Sequence, residues 1–112
     1  MSFQHKQLSQ GKWQKLSLIE QMANIGSEVE RAINWKNKND KEYSRMAFDR
    51  ALELIDLTIS DEKNCRRLKE ILRVRESLAD YFVGENQYSS SDKSWKNYFY
   101  AFGLAAGIKS NL

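Results

Sequence analysis

The sequence predicts an all-α protein, an antiparallel up-down four-helix bundle, and three observations carry that expectation. There is no proline and there are only five glycines in 112 residues, whereas all-β folds lean on both for their turns. Apolar residues recur at spacings of three and four, the period of one helix face, through most of the chain. Helix-start signals stand between these periodic stretches.

Residues 1–16 read as a loose N-terminal arm with Trp13 and Leu16 as anchors, and residues 17–110 as a single four-helix-bundle domain. Ser17 and Glu20 form a capping-box pattern ahead of the stripe Ile19, Met22, Ala23, Gly26, Val29, Ala32 and Ile33. A polar Asn/Lys-rich connection, Asn34 to Asp40, follows, and Asn39 with Glu42 is the second cap. The second predicted helix turns Tyr43, Met46, Ala47, Ala51, Leu54 and Ile59 inward, with Leu57 or Thr58 beside them. Ser60-Asp61 caps a third helix whose stripe is Cys65, Leu68, Ile71, Leu72, Leu78, Ala79 and Phe82. Gly84 is placed to end it in a left-handed conformation. After the polar loop Glu85 to Ser91, Ser91 or Asp92 caps the last helix, which carries Trp95, Tyr98, Phe99, Phe102, Ala105, Ala106 and Ile108. Short links make neighbouring helices antiparallel.

Composition excludes several classes. No run of about 18 apolar residues exists, so no membrane span is expected. Met1 to Gly11 lacks the apolar stretch of a secretory signal, and the single cysteine allows no internal disulfide, so the expected setting is the cytoplasm. The net charge of +3 is mild. There is no Gly-rich phosphate loop, CxxC or HExxH, and the one histidine, His5, lies in the arm. A zinc site, a di-iron Glu-x-x-His site and a histidine-activated nucleophile are therefore not expected. No catalytic residue, metal ligand or cofactor is assigned. Cys65 reads as a small buried hydrophobe.

Three features remain as candidates. The carboxylates Glu28, Glu53, Asp56, Glu76 and Asp80 are spread over three helices and would form an oxygen-rich cation site if they converged. Interleaved arginines make a solvated charged face the simpler account. The third helix carries a basic stripe in which Arg66, Arg67, Lys69 and Arg73 are the candidate nucleic-acid contacts, interrupted by Glu62, Glu70 and Glu76. The last helix holds too many rings for one stripe. Phe99, Phe102 and Ala106 are expected to face the bundle, leaving Trp95, Tyr98 and Tyr100 as a partner interface.

The stretches Glu20–Ala32, Arg50–Thr58 and Trp95–Phe102 resemble a group of small prokaryotic helical proteins that carries no established activity. The helix order is also similar to that of HEPN-type modules, which accompany small nucleotidyltransferases in toxin–antitoxin pairs. HEPN ribonucleases use an Arg-x4–6-His motif, and here no histidine follows any arginine. The resemblance thus implies a non-catalytic member. The leading expectation is a non-enzymatic interaction module that self-associates or docks a protein partner, away from membranes. A nucleic-acid-binding component of a toxin–antitoxin or defence-like system is the alternative, and a metal-dependent enzyme built on the carboxylates is the third.

Overall fold

The structure, a computed structural model, describes residues 10–110 and the side chains of residues 11–107. The first nine residues of the predicted arm, with His5, and the side chain of Ile108 lie outside the described residues. The chain is all-α, with no strand among the described residues: α1 (Gln10–Gln14), α2 (Leu18–Asn37), α3 (Lys41–Ile59), a 3-10 segment (Glu62–Arg67), α4 (Leu68–Val83) and α5 (Asp92–Ser110). Among the described residues there are thus five α-helices rather than four, the extra one being the short turn that carries Trp13.

Local chemistry accounts for the boundaries. The Glu20 amide donates to Ser17 Oγ at 3.1 Å and the Ser17 amide donates to Glu20 Oε1 at 2.9 Å, the reciprocal cap that the Ser17/Glu20 spacing predicts. Between α2 and α3, Asn39 does not cap. It takes φ 62°, a left-handed position that Asn tolerates. Asp40 is the cap, accepting from the Tyr43 amide at 3.0 Å. Gly84 is also corrected: its φ is −101°, and the loop before α5 turns instead through Asn86 and Ser89, at φ 56° and 55°. Asp80 holds that loop, its carboxylate accepting from the Gln87 amide at 2.8 Å and the Tyr88 amide at 3.1 Å. Ser91 caps α5, accepting at Oγ from the Ser94 amide at 3.0 Å.

α2 is the central element, with α3 along one side and α5 along another, while α4 packs on α3. Ser44 Oγ donates to the Ala32 carbonyl and Arg50 to Glu28, so α3 runs back along α2. Arg75 meets Asp56 and the Phe82 ring stacks on Phe48, so α4 runs back along α3. Lys36 meets Asp92 near one end of α5, and Phe99 meets Gly26 further along. A Cβ on Gly26 would lie 2.6 Å from Phe99 Cβ, so only glycine lets the two helices approach this closely.

The core joins Met22, Ile25, Val29 and Ile33 of α2 to Ala47, Phe48, Ala51, Leu54 and Ile55 of α3 and to Ile71, Val74 and Leu78 of α4. Tyr43 and Met46, expected inward, are exposed, because the buried stripe of α3 lies one residue on, at Ser44, Ala47, Phe48 and Ala51. The larger departure is at the start of α4. Residues 62–67 wind as a 3-10 helix, capped by Asp61. A turn of 3.0 rather than 3.6 residues advances the phase by about 20° per residue, roughly 120° over such a segment. Cys65, inside that segment, faces solvent; within α4 itself the buried face is Ile71, Val74 and Leu78, which leaves Leu68 half-buried at its edge and Leu72 exposed.

A fully hydrogen-bonded polar network closes the other end of the core. Trp13 Nε1 donates to Thr58 Oγ1 at 3.0 Å, and Thr58 Oγ1 donates to the Leu54 carbonyl at 2.8 Å. Gln21 Nε2 donates to the Trp13 carbonyl and to Asp61 Oδ2, and Asn64 Nδ2 donates to Gln21 Oε1. Burial pushes the Asp61 carboxyl up, but bonds from Lys63 and Gln21 outweigh it and leave the group below its usual value. Asp92 is likewise raised by burial and lowered further by Lys36, Tyr81 and Asn37. A carboxyl depressed in the folded state binds fewer protons than its unfolded counterpart, so it contributes stability above the unfolded value of about 3.9 and loses it as pH falls through the folded one. The thermal midpoint is expected to fall steeply below about pH 4, and less steeply in Asp92→Asn. An identical acid limb in that variant would show that Asp92 does not contribute.

Candidate functional site

The carboxylates do not converge. Glu28 is buried and accepts from Arg50 Nε at 3.1 Å and Arg31 at 2.9 Å. Asp56 pairs with Arg75, Glu76 accepts from the Tyr88 hydroxyl, and Asp80 serves the loop amides. Glu53 is buried in α3. Among the described residues no group of three or more His, Cys, Asp or Glu side chains is placed to hold a metal ion.

The basic stripe is divided. Arg66 and Arg67 are exposed on the 3-10 segment, and Arg67 is spent on Glu70, with Nε to Oε1 at 2.9 Å. The Arg67 guanidinium holds the Glu70 carboxyl below its ordinary range. Lys69 and Arg73, one helical turn apart on α4, form no ion pair among the described residues.

The rings of α5 divide differently from the expectation. Trp95 is only 7% exposed and belongs to the core with Phe99, its ring stacked on Phe99 at 6.0 Å between centroids. This corrects the placement of Trp95 on an outer face: α5 is apolar on most sides, so its sequence fixes no phase, and α2 takes the 95/99 stripe. Tyr98 is partly buried and turns toward α4, its hydroxyl donating to Glu70 Oε2 at 2.9 Å. Burial first, and then that bond to a carboxylate, push the Tyr98 phenol far up. Tyr100 is 69% exposed and stays on the outside with Leu104.

Two clefts result, on either side of α5. The first, of about 520 Å³, runs between α2 and α5 and is bordered by Ala23, Gly26 and Ser27 on one helix and Tyr100, Gly103 and Leu104 on the other. The second, of about 600 Å³, lies between α4 and α5 and brings Lys69 and Arg73 together with Trp95 and Tyr98. Two residue sets that the sequence placed on separate helices thus share one site. Tyr88, from the loop, also lines it, and nothing in the sequence signals that a loop ring should lie there.

Fold and clefts define a small all-helical protein with an aromatic and basic cleft on one side of its last helix and an uncharged ridge on the other. No protein-family model, curated protein or solved structure matches the chain.

Proposed function

We propose that this protein is a non-enzymatic interaction module, an antiparallel up-down four-helix bundle that pairs with a second copy of itself through the outer face of α5. One observation carries the reading: residues 97–108 contain no charged side chain, yet α5 leaves Tyr100 and Leu104, one turn apart, 69% and 54% exposed. The adjoining cleft is walled by the small residues Ala23, Gly26, Ser27 and Gly103, with the charged Glu30 and Lys96 also in its lining. A ridge beside a groove on one patch is self-complementary under a two-fold axis. Tyrosine is among the side chains that most often anchor such contacts. The helix order of the bundle is supported by the pairings of α3 with α2, α4 with α3 and α5 with α2. A cytoplasmic setting agrees with the lone, exposed Cys65, and a non-catalytic role agrees with the resemblance to HEPN-type modules lacking the Arg–His pair.

Light scattering after size exclusion is the test. The wild type is expected to approach twice its 13.1 kDa as concentration rises, and Tyr100→Lys and Leu104→Lys to stay monomeric with unchanged helicity. A wild type that remains monomeric at high concentration rejects self-association, and variants that keep the wild-type mass place the interface elsewhere.

A further inference from the structure

We infer that the cleft where the end of α4 meets the start of α3 binds a single-chain alkyl carboxylate, with its head on Lys41 and Arg45 and its chain along Phe48, Phe82 and Val83. The inference does not depend on pairing through α5, because no residue of α5 lines this cleft.

Helix spacing builds one wall. Lys41, Ser44, Arg45 and Phe48 stand at positions i, i+3, i+4 and i+7 of α3 and so share one face. α4 runs back along α3 and brings Phe82 and Val83 beside that face, and the end of α2 adds Lys36. The cleft holds about 420 Å³, a volume within the usual range of small-molecule sites.

The charge of the rim is one-sided. Lysine and arginine side chains border the cleft and no carboxylate does. Lys36 is matched by Asp92 at 2.8 Å, outside the lining. Lys41 forms no ion pair among the described residues. Arg45 meets the half-exposed Asp49 through Nε alone, at 3.1 Å, which leaves its terminal nitrogens to donate to an anion.

The floor is apolar and closed to hydrogen bonding. Phe48 is 1% exposed with the Phe82 ring stacked on it at 4.9 Å, and Val83 is left 55% exposed on the rim. The Ser44 hydroxyl already donates to the Ala32 carbonyl at 2.7 Å. A peptide or a heterocycle would bring N–H and C=O groups that this floor cannot meet. An inorganic anion would leave the apolar wall uncovered, and an uncharged chain would leave the cations unused. An alkyl chain ending in a carboxylate uses both halves of the lining.

The test is a set of titrations of the full-length, isotope-labelled chain, followed by amide chemical shifts. The probes are hexanoate, octanoate and decanoate below their micelle concentrations, octan-1-ol, octylammonium, and vesicles of an anionic phospholipid. The carboxylates are expected to move the amides of Ser44, Phe48, Phe82 and Val83, with binding tightening about tenfold for each two added methylenes. Octan-1-ol should bind about tenfold more weakly than octanoate, and octylammonium more weakly still. Lys41→Ala with Arg45→Ala, both on exposed positions, should lower octanoate affinity by about tenfold, leave octan-1-ol affinity unchanged and leave helicity intact. Val83→Ser should weaken both ligands. Lys12→Ala, at the other end of the core, should weaken neither. Five outcomes would overturn the inference: no shifts at millimolar decanoate, affinity independent of chain length, octylammonium binding as tightly as octanoate, full octanoate affinity in the double variant, or binding to the vesicles with none to the free carboxylates.

Discussion

Trp13→Ala is expected to lower stability by about 3–5 kcal/mol, the cost of emptying a large aromatic site in a core. Single domains are stable by only about 5–15 kcal/mol, so the variant should be at the edge of folding at room temperature. Trp13 sits on a five-residue helix that no intrinsic propensity would sustain alone. It is nonetheless completely buried, because its ring reaches α3 and its indole N–H meets Thr58, 45 positions away in the chain. Its carbonyl accepts from the buried Gln21 amide, so loss of the ring also loosens a polar group that has no water to turn to. Trp13→Phe keeps most of the apolar contact and leaves Thr58 its own bond to the Leu54 carbonyl, so it should cost only about 1–2 kcal/mol. Urea denaturation of the three proteins measures the series. A loss below about 1 kcal/mol in Trp13→Ala would show that the N-terminal turn is not part of the cooperative core.

The second large effect is a contrast. Leu54→Ala is expected to cost about 2–5 kcal/mol and Leu68→Ala no more than about 1 kcal/mol. Leu54 is 2% exposed, in the second half of α3 and in the central cluster. Leu68 is only half-buried at the first residue of α4, outside that cluster, where a smaller side chain leaves space that water fills. From sequence spacing alone the two leucines look equivalent, each in the middle of a stripe. Equal losses by calorimetry would therefore support a stripe that includes Leu68 and contradict a buried face made of Ile71, Val74 and Leu78.

That contrast shows where the sequence was legible. The Ser17–Glu20 cap, the helical class and most of the α2 stripe follow from local chemistry, because hydrogen bonds within four residues and a steady 100° per residue decide them, although Ile19 is exposed and Ile25, left out of the stripe, is buried. The face of α4 was partly legible: Ile71 and Leu78 are buried as read, whereas Val74 is buried in place of Leu72, and Cys65 was misplaced because residues 62–67 carry no mark that separates a 3-10 from an α start. The asparagine and glycine positions failed in a related way. Asn39 and Asn86 took left-handed geometry, whereas Gly84 did not need it. For α5, apolar on most sides, only the choice of neighbour decides that Trp95 goes in and Tyr100 out. The cleft with Lys69 and Arg73 was likewise hidden, because it exists only once the fold brings α4 and α5 to border the same space.

Gly26 ties two of these helices into one cooperative unit. A glycine in mid-helix costs about 1 kcal/mol relative to alanine, so α2 on its own would be weakest at its centre. That weakness is offset only while Phe99 sits against the bare backbone. Detaching α5 therefore uncovers the softest turn of α2 and removes the packing that holds it. The two helices open together, and the ridge on α5 is as steady as the backbone of α2 beneath it.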